Sequence, residues 1–356
     1  MISVGINGFG RIGRLVYRAL AERPDQFDVK LVNDLSDAPI LATLLKMDST
    51  YGRYPGHVRA ADGHLQVDGN EVRLTKEKDP SRLPWGEAGV DIVLECSGKF
   101  TSREGMEKHL EAGAPRVLLS APAKGDNPID QTVILGVNEQ ELRSDMKLVS
   151  AGSCTTNCVV PLAKVLHDAF GIEDGLMTTV HAYTNDQSLL DGIHKDPRRA
   201  RAAASNIVPT STGAAELVGK IIPELEGKLS GYALRVPVAC GSVTDLTVTL
   251  KKNVSIEDVN AAYREAAQGA LGAVLEYSED PLVSSDIVGN AHSCIYDAGQ
   301  TKVANGKLVK VLGWYDNEWG YSARLTDVTQ LMGQMSQADH AARGSEQPED
   351  RPGTTH

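Results

Sequence analysis

The amino-acid sequence predicts an α/β protein in two parts: a doubly wound parallel sheet, then an α+β unit with a mostly antiparallel or mixed sheet. Three observations carry the prediction. Up to about residue 150, short continuous apolar runs alternate with helix-like segments, the pattern of βαβ units whose strands are covered on both faces. Farther on, longer runs alternate apolar and β-branched polar residues with period two, the mark of a half-exposed sheet. Finally, 356 residues hold enough chain for two cores, since a domain takes roughly 150.

Each element follows in order. Residues 2–7 (ISVGIN) form a strand, and residues 11–22 a helix with Ile12, Leu15, Val16, Ala19 and Leu20 on one side. Residues 29–33 are a second strand and 40–47 a second helical pattern. Two further strands, 91–95 and 116–120, flank a helix over 103–112. In the second half, a helix over 155–170 precedes strands such as 246–250 (LTVTL) and 308–312 (LVKVL), with a helix over 255–272 lying against them. A last helical segment runs from Asp316 to about Met335. Residues 336–356 have no apolar face to bury and read as a disordered tail. No internal repeat is visible.

Charge and cysteine content narrow the function. Thirty-six Lys and Arg against 47 Asp and Glu leave a net charge of −11, which argues against a nucleic-acid coat or a binder of anionic membranes. No apolar run is long enough to span a bilayer, and the N-terminus lacks the basic and apolar segments of a secretory leader. Five cysteines without a Cys-x-x-Cys pair argue against a disulfide framework or zinc ribbon and fit a reducing cytoplasm. The expectation is a cytoplasmic enzyme with no metal, no membrane attachment and no dedicated nucleic-acid site.

Two constellations carry chemistry. Gly8, Gly10 and Gly13 form G-x-G-x-x-G between the first strand and the first helix, the setting that this dinucleotide-binding (Rossmann) fingerprint needs. Gly8 makes the tight turn, Gly10 admits a pyrophosphate, and Gly13 lets helix and strand pack, while the helix N-terminus faces the anion. Asp34 stands at the end of the second strand, where an acid bonds the ribose hydroxyls of NAD and repels a 2′-phosphate. The second constellation is Ser153-Cys154-Thr155-Thr156-Asn157-Cys158, which opens a helix. Cys154 at the helix start feels the macrodipole, which favours thiolate; Cys158, one turn deeper, reads as core. His181 ends the strand-like run Thr178-Thr179-Val180-His181 and suits a base for Cys154. Spacing alone leaves that pairing open, since most lone histidines are structural.

Four blocks together resemble the signatures of phosphorylating glyceraldehyde-3-phosphate dehydrogenases. They are residues 7–14 (NGFGRIGR), 153–158 (SCTTNC), 181–187 (HAYTNDQ) and 314–321 (WYDNEWGY), in family order and spacing. The resemblance covers residues 2 to about 335. It implies an NAD-binding domain over 1–152, completed by a C-terminal helix at about 317–335, and a catalytic domain over 153–316. It further implies that Cys154 is the nucleophile and His181 its base. Gly8, Gly10, Arg11, Ile12, Gly13, Asp34, Ser120 and Asn317 then hold NAD, Asn317 at the nicotinamide carboxamide. Thr184, Asp186 and Arg235 would serve the substrate phosphate, and Ser153, Thr155, Thr212, Gly213 and Arg199 the neighbouring substrate and inorganic-phosphate positions. A homotetramer is also implied, with the basic segment 195–201 near the neighbouring subunit's cofactor.

The chain departs from the family at three places. Ser150-Ala151-Gly152 replaces Ser-Asn-Ala, which is expected to loosen that loop. Gly192-Ile193 replaces Leu-Pro near the adenosine ribose, so NADP stays open as a less favoured cofactor. Val238-Ala239-Cys240 adds a thiol open to oxidation. The rival readings are an erythrose-4-phosphate dehydrogenase, which releases its acid by hydrolysis, a more distant aspartate-semialdehyde or acyl-phosphate reductase, and a paralogue retained for binding or redox sensing.

Overall fold

The computed structural model describes residues 1–344, with side-chain surroundings through Ser336. Its first sheet runs in the order Gln131–Thr132, Leu148–Ser150, Val117–Leu119, Ile92–Glu95, Ile2–Asn7, Phe27–Asn33, Asn70–Thr75, His64–Val67, Val58–Ala61. The pairings are parallel as far as Asn70–Thr75. The last two strands add antiparallel, so the expected parallel sheet carries a hairpin edge. The sequence holds the cause in Asp62-Gly63 and Asp68-Gly69, the dipeptide that favours a two-residue hairpin turn. Asp68 and Gly69 both take positive φ, at 52° and 88°, as a type I′ turn requires. Strand order reverses on either side of Ile2–Asn7, and a crevice opens at the carboxyl end of such a strand.

The second sheet is mixed. Its order is Val208–Thr210, Leu229–Val236, Ile172–Ala182, Ser242–Leu250, Leu308–Tyr315, Cys294–Asp297, Leu275–Ser278, and Lys302–Ala304 pairs with Leu308–Tyr315. Ile172–Ala182 runs parallel to Leu229–Val236 and antiparallel to Ser242–Leu250. The helix Cys154–Phe170 packs on this sheet through Cys158, Val159, Leu162 and Leu166, all fully buried. Burying four such side chains removes apolar area worth roughly 1.5–3 kcal/mol each for the larger ones, so this helix has little freedom to shift the nucleophile at its start.

The C-terminal helix Trp319–Gly344 returns to the first sheet, where Tyr321, Leu325, Val328 and Met332 join the core around Ile2, Ile6 and Val16. Its beginning and end differ from the sequence expectation. Asp316 lies before the helix and accepts the backbone N–H groups of Glu318 and Trp319. At the other end the helix continues through residues 336–344 instead of ending near Met335. Ala338, Ala341, Ala342 and Arg343 are strong helix formers, so continuation needs no buried face. The rest of the expected tail, 345–356, lies outside the described residues.

Candidate active site

Ser153 caps the helix Cys154–Phe170: its Oγ accepts the Thr156 N–H at 3.0 Å. Cys154 is therefore the first helical residue, with the unpaired N–H groups of the first turn around its sulfur. Two hydrogen bonds tie down the preceding loop. Asn157 Nδ2 donates to Ala151 O at 2.7 Å and Tyr321 OH to Gly152 O at 2.8 Å. Gly152 sits at φ +66°, a conformation that suits glycine.

Cys154 Sγ lies 3.4 Å from His181 Nε2. His181 is almost wholly buried near the end of Ile172–Ala182, and its Nδ1 lies 2.7 Å from Ala182 O. A lone pair facing a carbonyl at that distance would be repelled, so Nδ1 carries the proton and donates it. Nε2 then presents its lone pair to the sulfur. Arg235 Nη1 also reaches Ala182 O, at 3.0 Å, which brings it within 2.9 Å of Nδ1. The cause is strand register: His181 and Arg235 are direct partners on adjacent parallel strands.

Electrostatics around the pair have mixed sign. Burial pushes the Cys154 thiol up, while Arg235, the Thr155 N–H and hydroxyl, and the N–H of Cys154 itself pull toward thiolate. Burial, then Arg235, push His181 down, which keeps the imidazole neutral and able to accept a proton. Thr155 thus belongs to the nucleophile's own surroundings. Its hydroxyl also meets Tyr315 OH at 2.9 Å.

Arg235 has no carboxylate partner among the described residues, and Cys154, Arg199 and Asp186 all act on its charge. A guanidinium without a carboxylate partner beside a nucleophile has the chemistry to receive an anion. Asp186 Oδ2 accepts Arg199 Nη1 at 2.6 Å and its Oδ1 faces His194 Nε2 at 3.4 Å, so it holds Arg199 in place. Arg199 Nε also donates to Thr210 Oγ1 at 2.6 Å. Thr212 Oγ1 accepts Ala214 N at 3.2 Å, and Gly213 leads into the helix Ala214–Ile221 with open space where a Cβ would stand. Thr184 follows the His181 strand in the loop that carries Asp186.

The glycine turn fits a dinucleotide. Gly8 takes φ +91°, and a Cβ there would lie 2.5 Å from Ser97 N; one on Gly13 would lie 2.1 Å from Gly8 O. A Cβ on Gly10 would meet nothing within 4 Å, so that side faces open space at the start of the helix Arg11–Ala21. The Asp34 carboxylate is fixed by Phe9 N at 2.8 Å and Ser36 N at 2.9 Å. The Arg11 side chain is spent on Asp48, at 2.5 Å, and on Glu318, leaving its backbone N–H and that of Ile12 for an anion. Ser120 N donates to Glu95 O at the carboxyl end of the sheet.

Asn317 does not cap the last helix; Asp316 does. Asn317 Oδ1 accepts Gly241 N at 3.2 Å and Ser242 Oγ at 3.0 Å, which leaves its amide nitrogen as a donor. Cys240 is buried between Tyr51 OH and Asp316 Oδ1, and burial beside that carboxylate pushes its thiol up. A thiol held protonated in this way is a weak nucleophile, since the thiolate is the reactive form. Among the described residues no cluster of three or more His, Cys, Asp or Glu is arranged to hold a metal, and no helix is long and apolar enough to cross a membrane. The sequence reading did not single out Ser242, and it quoted Tyr315, Asp316 and Glu318 in the 314–321 block without a role, because each matters through a contact made across the fold.

Comparison with known proteins agrees with this geometry. Residues 2–103 match the family model described as glyceraldehyde 3-phosphate dehydrogenase, NAD binding domain, and residues 153–317 match the corresponding C-terminal domain. The chain is 54% identical over 333 residues to glyceraldehyde-3-phosphate dehydrogenase 2 of Streptomyces arenae, covering 93% of this chain and 98% of that one. It is 53% identical over 339 residues to the glyceraldehyde-3-phosphate dehydrogenase of Mycolicibacterium smegmatis, covering 93% and 98%. With that of Kitasatospora aureofaciens the identity is 55% over 333 residues, covering 93% and 99%. The chain belongs to the glyceraldehyde-3-phosphate dehydrogenase family.

Proposed function

We propose that this protein oxidises glyceraldehyde 3-phosphate reversibly to 1,3-bisphosphoglycerate with NAD and inorganic phosphate. The observation that carries the reading is the 3.4 Å contact of Cys154 Sγ with His181 Nε2 at a helix N-terminus, beside an Arg235 free of carboxylates. Cys154 gives its proton to His181 and its sulfur bonds the aldehyde carbon; the carbonyl oxygen takes that proton, forming a hemithioacetal. The N–H groups of the first helical turn face the developing oxyanion. With NAD held by the glycine turn and Asn317, its nicotinamide would supply the acceptor for the hydride of that carbon. As the hydride leaves, His181 Nε2 takes the hydroxyl proton and a thioester remains on Cys154. A phosphate oxygen then attacks the thioester carbon, the carbon–sulfur bond breaks, and sulfur leaves as thiolate under the helix dipole and Arg235.

The residue roles are part of the same proposal. Arg235 and Thr184 receive the substrate phosphate, while Ser153, Arg199, Thr212 and Gly213 face the attacking phosphate, with Asp186 holding Arg199. Gly8, Gly10, Gly13, Arg11 and Ile12 through their backbone, Asp34, Ser120 and Asn317 hold NAD. We divide the chain at 152/153, with the last helix completing the NAD-binding domain. A homotetramer is supported by the exposed apolar side chains Leu189, Leu190 and Ile193 in the loop that carries Arg199. Five free thiols suit a reducing cytoplasm.

The test is NADH formation from glyceraldehyde 3-phosphate and NAD, first without and then with inorganic phosphate. We expect a stoichiometric burst that becomes steady turnover only when phosphate is added. Steady turnover without phosphate would indicate hydrolytic release, as in an erythrose-4-phosphate dehydrogenase. Full activity after Cys154→Ser would refute the covalent route.

A further inference from the structure

We propose that Ser242 is a positioning residue that ties the orientation of Asn317 to that of the base His181. Ser242 is fully buried at the start of Ser242–Leu250. Its Oγ accepts the Ala182 N–H at 3.0 Å and donates to Asn317 Oδ1 at 3.0 Å. The Ala182 carbonyl takes the proton of His181 Nδ1 at 2.7 Å. One residue thus serves both halves of the site: the oxygen of Ala182 orients the base, and its nitrogen, through Ser242, orients Asn317.

The hydrogen-bond inventory leaves Asn317 one orientation. Gly241 N–H can only donate, and it points at Asn317 Oδ1 from 3.2 Å. The Ser242 hydroxyl accepts the Ala182 N–H on one lone pair and gives its proton to the same Asn317 oxygen. Turning the amide over would set its NH2 against the Gly241 N–H, which cannot accept, and strand that buried donor while the Ser242 hydroxyl loses its acceptor. The backbone cannot follow such a turn, because Asp316 is held by Tyr51 OH at 2.7 Å and Gly289 N at 2.7 Å while it caps the last helix. Asn317 therefore offers only N–H donors to a ligand, which select the oxygen of a carboxamide and so one placement of the nicotinamide ring relative to His181.

This rests on the reading of Asn317 as the nicotinamide's partner, and the experiment separates the two claims. Affinities for NAD and for ADP-ribose, which lacks the nicotinamide, are measured by calorimetry on the wild type, Ser242→Ala, Asn317→Ala and the double variant. Ser242→Ala should weaken NAD about three- to tenfold, the range of one hydrogen bond, and leave ADP-ribose unchanged. In steady state kcat should fall and KM for NAD rise while KM for the aldehyde stays put. The double variant should bind NAD no more weakly than Asn317→Ala alone. Equal weakening of both ligands would mean a merely structural role, and unchanged NAD binding would remove any role; either overturns the inference. If Asn317→Ala itself leaves NAD affinity intact, the reading of Asn317 fails and the inference with it. Should Ser242→Ala not fold, Ser242→Cys keeps the volume with a weaker donor, and the same ligand comparison decides.

Discussion

Arg235 shows how a single residue can serve both binding and chemistry. It approaches His181 from the next strand while keeping a guanidinium without a carboxylate partner. If it receives the substrate phosphate, Arg235→Gln should lower the preference for glyceraldehyde 3-phosphate over glyceraldehyde, measured as a ratio of kcat/KM values, by about 10- to 100-fold, the worth of one charged hydrogen bond. An unchanged ratio would place the phosphate elsewhere. His181 can be probed without substrate. Burial raises the Cys154 thiol and keeps His181 neutral, so the thiol passes its proton to the imidazole as the sulfur attacks, and without that acceptor attack at neutral pH slows. His181→Asn should slow alkylation by iodoacetamide at pH 7 about tenfold or more, with the rate recovering only as pH rises. Under the same reagent Cys240 should stay unlabelled in the native protein, as peptide mass mapping will show. For the cofactor, Asp34→Ala should relax the NAD preference over NADP; an unmoved ratio of kcat/KM values would mean that Asp34 does not sense the 2′ position.

Among the elements, the glycine turn separates folding from binding. A Cβ on Gly13 would drive into the Gly8 carbonyl at 2.1 Å, against backbone that cannot yield. The same atom on Gly10 would meet nothing in the ligand-free protein. Gly13→Ala should therefore lower Tm by several degrees, whereas Gly10→Ala should keep Tm and lose NAD affinity, since the methyl occupies the side where a pyrophosphate approaches. Thermal melts and calorimetry on both variants check this, and equal behaviour of the two would contradict it. The nucleophile helix follows similar logic: its Ser153 cap and buried Cys158–Leu162–Leu166 face hold Cys154 still before any ligand arrives. Periodicity, capping residues and glycine spacing made both elements legible in the sequence. The 58–75 hairpin edge was legible too, in its two Asp-Gly pairs, but a search for βαβ alternation passes over it.

For the whole molecule, polar contacts join the first helix and its neighbouring turn to the 314–321 block. Arg11 bridges Asp48 and Glu318, and Tyr51 reaches Asp316, so the first helix and the 47–53 turn are tied to the block that carries Asn317. The loop from Thr184 to Arg201 faces outward instead. Its Leu189 and Leu190 are about four-fifths exposed and Ile193 is fully so, more apolar surface than an isolated loop needs. If these side chains cover a neighbouring subunit, light scattering should give a tetramer for the wild type and smaller species for Leu190→Glu combined with Ile193→Glu. A wild-type monomer, or a double variant that stays tetrameric, would rule out that use of the loop.

The sequence by itself determined the fold class, the phosphate-binding turn, the helix-capped cysteine and the family, because each is written in neighbouring residues: a period, a cap, a spacing. Only the tertiary structure decided that Arg235 stands beside His181, that Asp186 holds Arg199, that Asp316 and not Asn317 caps the last helix, and that Ser242 joins the base to Asn317. Those relations depend on strand register and on which buried donor finds which acceptor, and all but the local Asp316 cap link residues 13 to 75 positions apart. Local patterns set which face of an element is apolar; they carry no information about which polar atom on the next strand will lie within 3 Å.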